Sequence, residues 1–112
     1  MVDIKTFRQL ALSFPEATEE PHFDKTSFRI KKKIFATVSI PDNTAVLKLS
    51  LIDQSVFTLN ATAIYPVNGT WGKQGWTTID LKKVRKDILK DALTTAYCNV
   101  APKKLGDPFQ KK

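Results

Sequence analysis

Residues 26–49, TSFRIKKKIFATVSIPDNTAVLKL, leave this chain the fewest options. Phe28 and Ile30 fall on one side of an extended segment and Arg29 on the other. Lys31, Lys32 and Lys33 follow as a tight turn. Ile34, Ala36, Val38 and Ile40 then share a strand face, Pro41-Asp42-Asn43 signals a second turn, and Leu47 and Leu49 oppose Lys48. Period-two patterning over three short runs, with no room for a crossover between them, predicts an antiparallel meander.

The flanking segments are helical. Asp3 is placed to cap a helix with Ile4, Phe7, Leu10, Ala11 and Phe14 on its apolar face, and Pro15 stops it. The stretch FPEATEEPHFD reads as an acidic loop. Ser50 and Asp53 form a capping box before a short helix carrying Ile52, Val56, Phe57 and Leu59. Strands are expected over residues 63–67 and 76–79, joined by a flexible, glycine-rich hairpin tip. Asp80 is expected to cap a last helix over residues 81–100, with Val84, Ile88, Ala92, Ala96 and Val100 inward and Lys82, Lys86 and Lys90 in a row outward. The predicted fold is α+β: a two-layer sandwich with a five-stranded antiparallel sheet and helices on one face, in the order α-βββ-α-ββ-α. Residues 1–102 make one domain, and residues 103–112 a loose basic tail.

Composition narrows the function classes. No apolar run approaches the roughly 20 residues of a membrane span, and MVDIKTFRQL lacks the apolar stretch of a signal peptide. The single cysteine, Cys98, cannot form an internal disulfide, which points to a reducing compartment and a cytoplasmic protein. The net charge of +7 is unevenly placed. Residues 1–24 hold two basic and five acidic side chains, residues 25–50 six and one, residues 51–80 one and two, and residues 81–112 nine and three. A positive field attracts polyanions and also serves plain solubility; composition leaves both open.

Catalytic chemistry finds little purchase. The one histidine, His22, stands among Glu19, Glu20 and Asp24 without metal-ligand spacing, and a packed loop histidine is the simpler reading. Cys98 has neither a second cysteine nor a nearby histidine. Gly69, Gly72 and Gly75 match neither a phosphate-binding loop nor a dinucleotide fingerprint. The expectation is therefore no enzyme, no cofactor and no metal. Trp71, Lys73 and Trp76 within that glycine-rich loop offer a stacking face beside a phosphate contact, or else cap the end of the core. Lys31, Lys32 and Lys33, clustered with Arg29 and Lys48, make either a solvated turn or a phosphate-binding wing.

The segments FPEATEEPHF, TSFRIKKKIFATVS, VLKLS, GKQGWTTIDL and DALTTAYCNVAPKKL together resemble the MmcQ/YjbR family of small bacterial proteins labelled as DNA-binding. Trp71, Lys73 and Trp76 fill the aromatic, lysine and tryptophan places of the family signature. Gly75 stands where many members have histidine, and residues 68–70 replace a tyrosine-containing run. The resemblance implies a secretion-chaperone-type, or CyaY-like, α+β fold and a double-wing DNA-binding mode. The wings would be residues 29–33 and 69–76, with Arg29, Lys31, Lys32, Lys33, Lys48, Trp71, Lys73 and Trp76 in contact with DNA. The same fold class includes protein-binding chaperones. It keeps open an interaction module that uses the exposed sheet face for a protein partner or a homodimer.

Overall fold

The computed structural model of the chain describes residues 2–59 and 62–106. Asp3 caps helix α1 (Ile4–Leu12), accepting from the Thr6 amide at 2.7 Å, and Phe7 and Ala11 form its buried stripe. Six strands follow: β1 (Thr18–His22), β2 (Lys25–Ile30), β3 (Lys33–Ser39), β4 (Thr44–Lys48), β5 (Ile64–Pro66) and β6 (Trp76–Asp80). They form one antiparallel sheet in the order β1-β2-β3-β4-β6-β5. Helix α2 (Leu51–Thr58) separates β4 from β5, and the short α3 (Thr70–Lys73) separates β5 from β6. Helix α4 (Lys86–Val100) and the short α5 (Lys103–Gly106) complete the order.

The sheet has six strands, not the expected five, and the order α-βββ-α-ββ-α is amended accordingly. The extra strand is TEEPH, read from sequence as an acidic loop. Its proline and carboxylates argue against a central strand, but β1 is an edge strand. There Pro21 takes a place where a missing N–H is tolerated, and charge discourages further pairing. Glu19 adds a tether: Arg8 of α1 donates to both its carboxylate oxygens, at 2.9 and 2.7 Å. That hydrogen-bonded ion pair lowers the Glu19 carboxyl below its ordinary value and raises the Arg8 guanidinium.

Strand β3 corrects the expected alternation. Phe28 pairs with Ala36 but Arg29 pairs with Ile34, so Phe35 is the extra residue of a β-bulge. Phe35 and Ala36 are both buried, while Ile34 turns to the opposite face from Ala36 and Val38. Ile40 lies past the strand end and is exposed. Helices α1 and α4 cover the face bearing Phe28 and Phe35. Phe7 meets Phe28 edge-on at 5.5 Å, and Phe14, Phe35 and Tyr97 form an aromatic cluster with centroids 4.7–6.2 Å apart. The Tyr97 hydroxyl donates to the Pro15 carbonyl at 2.7 Å, which satisfies the one polar atom of that buried ring.

The last helix begins at Lys86, not at residue 81. The Asp80 carboxylate accepts from the Lys82 amide at 3.0 Å and closes a turn, with Leu81 and Val84 buried beneath it. Lys82 is thus off the helix. The buried stripe of α4 is Leu89, Ala92, Leu93, Ala96 and Tyr97. In α2 the buried residue is Gln54, whereas Ile52 and Val56, and Leu59 just past its end, are exposed. Leu105 of α5 packs against the core; residues 107–112, most of the expected tail, lie outside the described residues.

Candidate nucleic-acid interface

The glycine-rich loop is pinned, in contrast to the expected flexible hairpin tip. A Cβ on Gly72 would overlap the Val67 carbonyl, and one on Gly75 the Leu49 carbonyl; Gly75 also has φ of +101°. These two glycines let backbone segments pack where no side chain fits. Gln54 reaches across from α2, and its amide nitrogen lies 2.9 Å from the Gly72 carbonyl, 3.2 Å from the Trp76 carbonyl and 3.1 Å from the Thr77 hydroxyl. The Leu49 amide donates to the Gly75 carbonyl at 3.1 Å, and Lys48 Nζ donates to the Gln74 carbonyl.

That anchoring fixes both tryptophans. Trp76 is half-buried on the open face of the sheet, and the Lys48 ammonium sits 5.6 Å from its ring centroid. Trp71, on α3, stands edge-to-face with Trp76 at 6.0 Å and 72° and remains 61% exposed. Neither ring fills the helix-covered core. A groove of about 340 Å³ runs from this pair across the open face. Its floor is Ile34, Thr37 and Val46, its wall is Val67, Trp71 and Trp76, and His22 and Lys25 lie at the far end. The β3 bulge makes the floor possible by turning Ile34 and Thr37 to the same side. Three apolar residues in succession, Ile34-Phe35-Ala36, in an otherwise alternating run were the sequence signal for it. His22 packs edge-on against Phe23 at 4.9 Å.

Register places the two expected wings at one end of the sheet. Lys31 and Lys32 form the two-residue β2–β3 turn beyond the pair Ile30–Lys33. On the next strands Lys48 pairs with Trp76 near the same end. Strands β3 and β6 are separated only by β4, so the wings are roughly 10 Å apart laterally. Arg29 donates to the Ser27 hydroxyl at 3.0 Å, and that hydroxyl donates to the Glu20 carbonyl at 2.9 Å, which orients the guanidinium on the open face. Lys32 and Lys33 are exposed at the turn, and Lys73 is exposed at the end of α3. Lys31 and Lys32 have φ of +52° and +69°, so two lysines occupy the left-handed positions where Asn-Gly would be relaxed.

Residues 29–33 contain no carboxylate, yet Lys31 pairs with Glu16 from another segment at 2.8 Å. At the start of α4, Arg85 at the N-cap pairs with Asp87 at 3.0 Å. Among the described residues, no group of three or more His, Cys, Asp or Glu converges as a metal site would require. No described helix is long and apolar enough to cross a membrane.

The YjbR family model matches residues 12–99, which span every strand and the tryptophan loop. Among solved structures, Deinococcus radiodurans protein DR2400, which carries the family-model domain DUF419, is similar in fold. Its TM-score is 0.78 at 19% identity, over 97% of this chain and 88% of that one. No curated protein matches. With the model covering most of the sequence and the fold shared end to end, the chain belongs to the YjbR family.

Proposed function

We propose that the protein is a non-catalytic DNA-binding module of low sequence specificity. The observation that carries this reading is the convergence of two lysine-bearing loops and an exposed tryptophan at one end of the sheet. Lys32, Lys33 and Lys73 supply phosphate contacts, Lys31 shares its charge with Glu16, and Arg29 and Lys48 add positive potential over the open face. The strained Lys31-Lys32 turn supports it further, since left-handed non-glycine residues cost stability and collect at ligand-holding sites. Among the described residues no long helix is presented beside the tryptophans, so base-reading of the helix-in-groove kind has no vehicle there, and phosphate contacts dominate.

Anisotropy titrations at two salt concentrations test this. Affinity is expected to fall steeply with salt through counterion release. Lys31→Ala with Lys32→Ala, or Lys73→Ala alone, is expected to weaken binding more than Lys86→Ala with Lys90→Ala. Each lost phosphate contact flattens the salt slope by about one. Absence of binding at low salt to both single- and double-stranded DNA would sink the proposal.

A second reading, a protein-interaction module, rests on a different surface from the sheet face first considered. Ile52 and Val56 stand exposed one turn apart on α2, and Leu59, just past its end, is exposed as well. Light scattering after size exclusion tests it: a dimer that becomes monomeric on Ile52→Ser with Val56→Ser supports this reading.

A further inference from the structure

We infer that the open-face groove receives an unpaired nucleobase, so that the protein prefers single-stranded DNA to duplex. This rests on the DNA-binding reading and specifies its ligand. Trp71 is mostly exposed, is held edge-to-face against Trp76 and lines the groove. Its partner Trp76 has Lys48 near its own ring, so Trp71 is the ring with free area for stacking. The loop beneath it is held by Gln54, Lys48 and the Gly72 and Gly75 contacts. A ring ordered before binding loses little freedom when a base stacks on it.

The groove's shape and charge fit the same occupant. Its volume of about 340 Å³ lies at the small end of ligand pockets, and its floor is apolar apart from the Thr37 side chain. Among the described residues, the charged or titratable ones that line it are Lys25 and His22, and none is a carboxylate. Lys48 lies by the tryptophans and Lys25 at the other end, so the groove is flanked by cations on both sides, as a base with a phosphate before and after it requires. Glu20 also projects from the open-face side, on β1, with Ser27 between it and Thr37 of the groove floor. A duplex keeps its bases stacked on each other and meets such a groove only with its backbone. An unpaired base reaches the Trp71 face at no unstacking cost.

The experiment is a set of anisotropy titrations at low salt, with a labelled oligothymidylate, a duplex of equal length and thymidine monophosphate as competitor. The single strand is expected to bind at least tenfold more tightly than the duplex. Trp71→Ala is expected to weaken single-strand binding about 5- to 150-fold and duplex binding by a much smaller factor, and Trp71→Phe to keep most of the affinity. Intrinsic tryptophan fluorescence should be quenched by the single strand in the wild type, with most of that signal missing from Trp71→Ala. Duplex binding as tight as single-strand binding, or an equal loss of both with Trp71→Ala, overturns the inference and leaves the DNA-binding reading standing. Binding of neither overturns both. Competition by the mononucleotide at the oligomer's own affinity shows a nucleotide pocket and overturns the strand assignment.

Discussion

Replacing the β2–β3 turn residues by Lys31→Asn with Lys32→Gly should raise stability and weaken DNA binding together. Both residues have positive φ, +52° and +69°, in a two-residue hairpin turn. Left-handed backbone costs an L-residue roughly 1–2 kcal/mol, and Asn-Gly is the pair that relieves it most fully. Relief of about 2 kcal/mol is offset by the greater unfolded-state freedom of glycine, about 0.4–1 kcal/mol. Loss of the exposed Lys31–Glu16 pair costs ~0.5 kcal/mol more. The net is about 1 kcal/mol of stabilisation, a rise of roughly 4 °C in Tm for a domain of this size. Thermal unfolding followed by circular dichroism measures that gain. The same variant, titrated with DNA at several salt concentrations, should show weaker binding and a salt slope flatter by about one to two. A stabilised variant with unchanged binding would refute the reasoning, because the strained lysines would then be a turn and nothing more. An unstabilised variant would refute the strain argument itself.

Gly75→Ala should destabilise by about 3–5 kcal/mol in urea unfolding, since positive φ combines with overlap on the Leu49 carbonyl. Gly69→Ala, with φ of +80° and open space around its Cβ, should cost only the strain of about 1–3 kcal/mol, and equal costs would show that the loop gives way. Glu16→Gln should release Lys31 and tighten DNA binding at low salt, steepening the salt slope by up to about 0.9 for duplex, with the gain vanishing at high salt. Burial raises the Tyr97 phenol, with the negative charges of Glu16 and Cys98 adding to it. The folded state therefore holds that proton more tightly, and stability present below the unfolded value of about 10 should decline as pH rises past it; Tyr97→Phe should make that alkaline decline shallower. The Arg8 hydrogen bonds lower the Glu19 carboxyl, so its contribution is present above the unfolded value of about 4.3 and lost as pH falls through the lower folded value. Glu19→Gln should flatten that acid limb of the stability profile.

The sequence by itself determined the elements whose signals are local. The Asp3 cap and apolar spacing specify α1, the Ser50–Asp53 box starts α2, and alternation with tight turns specifies β2, β3 and β4 as a meander. It also set the cluster of positive charge at residues 31–33 and the three glycines around Trp71. Those features depend on neighbours a few residues apart, so a linear reading reaches them. Tertiary structure decided the rest. TEEPH is a strand because the β2 edge was open to it, and an edge tolerates proline and charge that a central strand does not. Ile34 reached the open face because a bulge absorbed Phe35, a shift that exists only relative to the partner strand. Lys31 met Glu16, which is distant in sequence, so the local count of charges missed its neutralisation. The glycines that suggested mobility instead admit the Val67 and Leu49 carbonyls, and Gln54 from another helix closes the loop over them. Whether a glycine loosens a chain or lets two backbones touch depends on what lies opposite its missing Cβ, and only the folded molecule supplies that.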